Sequence, residues 1–158
     1  MKIVLCGMGN KDRGDDGFGS YVLKNIQETN IIKKIDCGVS PENYLNKILF
    51  FCPNLIIFFD TVMKGNANAV LLKNEEIVEN SPISITTHNL PFSSIYHYLK
   101  ENSSADIWFL GVRPYSYEHM SNETMKIADR IISMFNLLDR HKDLNRISFY
   151  ENLSTAFK

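Results

Sequence analysis

Residues 54–60 read Asn54-Leu55-Ile56-Ile57-Phe58-Phe59-Asp60. An uninterrupted apolar run leaves a strand without a polar face, so both of its faces must be covered. The segment predicts the central strand of a sheet that lies between two layers of helices. Working outward, residues 2–7 (KIVLCG) and 106–112 (DIWFLGV) are further short apolar runs. Between them the apolar spacing turns helical. Phe18, Tyr21, Val22 and Ile26 share one face, as do Tyr44, Leu45, Ile48, Leu49 and Cys52 behind Pro41. Phe92, Ile95, Tyr96 and Leu99 follow Pro91, a residue tolerated in a first helical turn. Ala128, Ile131, Ile132, Phe135 and Leu138 mark a long closing helix. Residues 33–37 read as a weaker strand, and residues 83–87 as extended. Residues 67–73 follow the central strand after a short loop, which favours an antiparallel strand. The order β-α-β-α-β-β-α-β-α predicts an α/β fold in three layers. Its twisted sheet of about five strands is mostly parallel, with one antiparallel member.

Composition narrows the function classes. The 158 residues suit a single domain spanning 1–158, with residues from about 140 onward as a tail of no readable role. Hydrophobic residues make up 44% and charged residues 22%, which excludes a disordered chain. Lys and Arg number 17 against 18 Asp and Glu, so no basic field invites nucleic acid or an anionic membrane. No apolar run exceeds the five residues of 55–59, far short of the ~20 that span a bilayer. The start does not read as a secretory leader, because glycines and charges soon interrupt residues 3–6. Cys6, Cys37 and Cys52 form no CxxC pair, so they are expected to be buried thiols rather than disulfide or zinc partners. These features suit a cytoplasmic protein, expected to be a monomer.

Sites in such folds form beyond the carboxyl ends of the strands. The first such loop, residues 7–19, opens as GxGxxG, but Asp12 replaces the third glycine and Asp15 and Asp16 would repel a pyrophosphate. One aspartate suffices to cap the next helix. Asp15 is assigned that task, leaving Asp16 to face the crevice. Asp60 ends the central strand, where a carboxylate is costly unless hydrogen-bonded, paired or bound to a cation. It reads equally as a turn residue bonding backbone near Thr61. His88, in Thr86-Thr87-His88-Asn89-Leu90-Pro91, falls at the same edge, although a lone loop histidine is usually polar surface. His97, His119 and His141 have no supporting neighbours. Asp16, Asp60 and His88 together would offer two carboxylates and an imidazole to a divalent cation, with positions left open. Such a set suits zinc, nickel, cobalt or manganese. Neither H-E-x-x-H nor G-x-S-x-G occurs.

Five ordered blocks resemble the hydrogenase maturation endopeptidases. They are the loop G-x-G-N-x-x-x-G-D-D-G-x-G of residues 7–19, the segment DCGVSPENY of 36–44, Phe59-Asp60-Thr61, Thr86-Thr87-His88-Asn89-Leu90-Pro91, and FLGVRP of 109–114. The wording PENY and TTHNLP is most similar to the formate-hydrogenlyase and archaeal subgroup. The resemblance implies cleavage of one peptide bond, removing the C-terminal extension of a nickel–iron hydrogenase large-subunit precursor after nickel insertion. It implies Asp16, Asp60 and His88 as metal ligands, Asp16 as the catalytic carboxylate, and Asn10, Asp15, Gly38 and Thr87 as substrate-facing residues. The nickel would arrive in the precursor, and zinc or another divalent ion would suit the isolated protein. Two routes stay open: the metal polarises the carbonyl or activates water, or it docks the precursor while a carboxylate acts as general base. A non-catalytic nickel-sensing adaptor for the same precursor is the main alternative, and a nucleotide-binding module a weaker one. Lys11, Asp12 and Arg13 depart from the family's more apolar loops. The tail residues Ile147, Phe149, Tyr150, Leu153 and Phe157 read as a packed or frayed terminus, or else as a docking element.

Overall fold

Every residue of the strand Leu55–Thr61 is buried, and it lies in the middle of the sheet. The structure is a computed structural model that describes residues 1–62, 67–80, 90–138 and 146–155. In chain order its elements are β1 (Ile3–Met8), a 3-10 turn (Gly14–Gly17), α1 (Phe18–Asn25), β2 (Ile32–Gly38), a second 3-10 turn (Pro41–Tyr44), α2 (Leu45–Phe50) and β3 (Leu55–Thr61). There follow β4 (Ala69–Lys73), α3 (Glu75–Glu79), α4 (Phe92–Asn102), β5 (Asp106–Val112), α5 (Asn122–Leu138) and α6 (Arg146–Thr155). The five strands lie in the order β2-β1-β3-β5-β4. β1 pairs in parallel with β2 and β3, β3 pairs in parallel with β5, and β4 runs antiparallel to β5. The expected α/β layering and the antiparallel strand are both observed.

Alternation along the central strands sends side chains to two separate cores. Ile3, Leu5, Ile57, Phe59, Trp108 and Leu110 pack with Phe18 and Val22 of α1, Ile131 and Phe135 of α5, and Phe149 and Leu153 of α6. On the other face Val4, Cys6, Ile56, Phe58, Ile107 and Phe109 meet Ile48, Ile77, Phe92, Ile95 and Leu99. Edge-to-face ring contacts bind the layers, among them Phe58 with Phe92 at 4.9 Å and Phe59 with Phe135 at 6.2 Å.

The structure departs from the sequence reading at α3 and at Cys52. The short helix α3 has no counterpart in the sequence reading. Cys6 and Cys37 are buried, but Cys52 is exposed. α2 ends at Phe50, and Cys52 sits beyond it at φ 47°, off the helix face it was expected to share. Of the readings offered for the tail, the packed one is observed at Phe149 and Leu153, which are buried in the core. The extended reading of residues 83–87 lies outside the described residues. Among the described residues, no helix is long and apolar enough to cross a membrane.

Candidate metal and hydrolytic site

β1 and β3 are parallel neighbours, so their carboxyl ends open at the same edge of the sheet. Beyond β1, Gly9 adopts φ +102° and its N–H donates to the Gly38 carbonyl at 2.9 Å. A Cβ at Gly9 would run into the Asp16 carbonyl, so only glycine allows the loop to double back. The return brings Asp16 over the start of its own loop. Its Oδ2 accepts the Asn10 N–H at 3.0 Å, and its Oδ1 accepts the Thr61 hydroxyl at 3.2 Å. Thr61 therefore joins the two strand ends, a role the sequence reading did not give it. Asn10 shapes the turn as well, its side chain accepting the Asp12 N–H at 2.9 Å.

Asp60 is wholly buried. Its Oδ1 accepts the N–H of Thr61 at 2.7 Å, the turn-type bond that the sequence allowed. Its Oδ2 is also buried, and no group among the described residues donates to it. Burial raises the Asp60 carboxyl, the Thr61 N–H pulls it part of the way back, and the charge of Asp16 raises it again, leaving it at about 8. A proton or a cation is what such a group lacks.

Asp15 behaves differently from its expected roles. No side-chain bond caps the 3-10 turn or α1, so Asp15 is not the helix cap. Its carboxylate is fully buried and reaches across to residues 115–121. It accepts the N–H groups of Tyr115 at 2.7 Å, Ser116 at 3.1 Å and Ser121 at 2.6 Å, and the Ser121 hydroxyl at 2.8 Å. Burial alone would raise its pKa, but these donors outweigh that and hold it below the usual carboxylate value. Its oxygens are engaged within the protein, so it is a buttress rather than a substrate-facing group. Ser121 was missed in the sequence. Its signal was the pattern Ser121-x-x-Thr124 ahead of α5, where its hydroxyl also accepts the Thr124 N–H at 3.2 Å.

Gly38 ends β2 at φ +52° with open space around it. His88 and Thr87 lie outside the described residues. Among the described residues, no cluster of three or more His, Cys, Asp or Glu side chains stands ready for a metal. The structure therefore joins Asp16 and Asp60 and leaves the third expected ligand undescribed.

A family model described as hydrogenase maturation protease matches residues 20–138. The Hydrogenase 3 maturation protease of Escherichia coli is 28% identical over 142 residues, 87% of this chain and 88% of its own. The crystal structure of the NiFe hydrogenase maturation protease HycI from Thermococcus kodakarensis KOD1 has a TM-score of 0.75 at 31% identity, covering 89% of this chain and 93% of that one. The solution structure of the endopeptidase HycI from Escherichia coli, at 24% identity and TM-score 0.71 over 88% of this chain and 92% of that one, shares the fold. Matched over most of its length and folded as these relatives are, the chain belongs to the hydrogenase maturation protease family.

Proposed function

We propose that this protein is an endopeptidase that removes the C-terminal extension from a nickel–iron hydrogenase large-subunit precursor after nickel has been inserted. In this reading the nickel is held by the precursor and is part of what the enzyme recognises. Asp16, Asp60 and His88 engage it, and zinc or another divalent ion fits the same donors in the isolated protein. The observation that carries the reading is Asp60. A buried carboxyl has one oxygen undonated among the described residues, beside a second carboxylate, at the carboxyl edge of the sheet. A divalent cation there replaces the missing proton and relieves the repulsion between Asp16 and Asp60. Family membership supports the protease chemistry.

The nickel, when present, supplies positive charge that fixes the precursor and polarises the scissile carbonyl. Asp16 is the less buried of the two carboxylates, with Asn10 and Thr61 fixing its oxygens. In this reading it takes a proton from the attacking water. The water oxygen bonds to the carbonyl carbon, the C–N bond breaks, and the leaving amine carries away a proton.

The test is intact mass spectrometry of the cognate precursor, nickel-loaded and nickel-free, after incubation with the protein. Loss of a discrete C-terminal peptide from the loaded form alone is expected. A stable complex with no loss of mass would make the protein an adaptor instead. Asp16→Ala and His88→Ala are each expected to abolish cleavage while circular dichroism stays native.

A further inference from the structure

Residues 113–121 leave the end of β5 and lead into α5, and they are held against the first loop from both sides. Asp15 gathers their backbone through the bonds to Tyr115, Ser116 and Ser121. In return the Asp15 N–H donates to the Ser116 carbonyl at 2.8 Å. Gly14, at φ +53°, lies so close that a Cβ there would meet the Ser116 carbonyl oxygen at 2.6 Å and that of His119 at 2.8 Å. On this fixed backbone two large rings stay open, Tyr115 at 45% exposure and Tyr117 at 43%. The Tyr115 hydroxyl donates to Asn68 Oδ1 at 2.5 Å, which orients its ring. The Arg13 guanidinium lies 5.2 Å from the centre of the Tyr117 ring, and Arg113 is exposed at the same loop. Glu118 is the one acidic residue in 113–121.

Aromatic rings held in place on a rigid backbone lose little freedom when a partner covers them. Tyrosine and arginine also dominate the energetic centres of interfaces. We propose that Tyr115, Tyr117, Arg13 and Arg113 form the surface on which the precursor polypeptide docks, and that Asp15 is the positioning residue that keeps this surface in register with Asp16. The identity of the partner rests on the endopeptidase reading. The occupant is the chain flanking the scissile bond, because Arg13 lies in the loop that carries Asp16 and Asp15, the chain neighbour of Asp16, holds the backbone of residues 115–121. The segment that fits presents an apolar side chain to the tyrosine faces and a carboxylate to the two arginines.

The experiment measures Kd for the nickel-loaded precursor by biolayer interferometry, and kcat and KM by mass spectrometry, on the full chain. The double variant Tyr115→Ala/Tyr117→Ala is expected to raise Kd and KM about tenfold or more, with kcat changed far less. Tyr115→Phe/Tyr117→Phe should restore most of the loss. Ser121→Ala, which removes one donor from Asp15, should raise KM by a smaller factor. Arg13→Glu changes an exposed side chain, so it keeps the test independent of folding, and it should also weaken Kd. Unchanged Kd in both the double variant and Arg13→Glu, with wild-type cleavage intact, overturns the docking surface and leaves the endopeptidase reading standing. Wild-type binding without cleavage, lost in the double variant, upholds the surface and overturns the endopeptidase reading. Precursor binding unaffected by the double variant while self-association is lost assigns the surface to a second copy of this chain and overturns the proposal. No wild-type binding overturns both.

Discussion

Asp15 and Asp60 are both fully buried carboxyl groups, yet the protein treats them in opposite ways. Among the described residues, Asp15 meets donors on both oxygens, whereas Asp60 has a donor on one. The consequence is opposite pH behaviour. Asp60 titrates at about 8 when folded, against an ordinary 3.8, so the folded state holds its proton more tightly than the unfolded state. Its contribution to stability is complete at acid pH and is lost as pH rises from roughly 4 to roughly 8. Metal-free Asp60→Asn is therefore expected to be more stable than wild type at pH 8, by about 1–3 kcal/mol, and to lose that advantage at pH 5. Urea titrations at the two pH values check this, and equal midpoints at both would refute it. Asp15 has the reverse sign: its lowered pKa adds stability above the usual carboxylate value, which is lost only in strong acid. Asp15→Ala leaves three backbone N–H groups, that of Ser121 buried, and the buried Ser121 hydroxyl without their acceptor and is expected to cost about 3 kcal/mol at pH 7, read by thermal melting. The sequence exposed Asp60 because an acid at the end of NLIIFF is conspicuous. It hid the role of Asp15 because its partners lie about a hundred residues away, Tyr115 at a separation of 100 and Ser121 at 106.

At the scale of elements, the carboxyl edge is assembled by two loops, residues 9–16 and 113–121, that Asp15 ties together. The first depends on Gly9. Gly9→Ala would need both a left-handed backbone and the space taken by the Asp16 carbonyl, so Asp16 must move for the chain to fold. A loss of cobalt or nickel binding larger than the loss of stability is expected, by calorimetric titration beside a melt; normal metal affinity would show that the turn does not set Asp16. β1, β3 and β5 were legible because buried parallel strands carry continuous apolar runs, the edge strand β2 only weakly because charged residues interrupt it, and the antiparallel β4 because its connection is too short for a crossover. α1, α4 and α5 were legible from their apolar stripes. α3 was not: Ile77 is its one buried residue, and five residues are too few to show a period. His88 was proposed only through its companions, since no local pattern distinguishes a ligand from a surface histidine, and it lies outside the described residues.

At the scale of the molecule, the question is what closes the outer face of β5. The family match ends at residue 138, and α6 follows it. Phe149 stacks on Trp108 with ring centres 5.9 Å apart and planes 13° from parallel, and it meets Phe135 edge-on at 5.2 Å. Leu153, one turn further on, is fully buried in the same cluster. The sequence left this open between a packed or frayed terminus and a docking element. Two apolar residues at i and i+4 make a narrow stripe, and the helix has no continuous amphipathic face to announce it. Their burial makes α6 a structural lid over Trp108 rather than an arm for a partner, and the two roles predict different measurements. Phe149→Ala removes an aromatic ring from a packed cluster and is expected to cost about 3–5 kcal/mol. For a chain of this size that lowers Tm by roughly 8–15 °C. Trp108 fluorescence should shift red in the same variant as its ring is exposed to water. Cleavage at low temperature should persist with KM nearly unchanged, because neither Phe149 nor Trp108 bonds Asp16 or Asp60, whose described partners are Asn10 and Thr61. A higher KM with an unchanged Tm would instead make the tail a docking element.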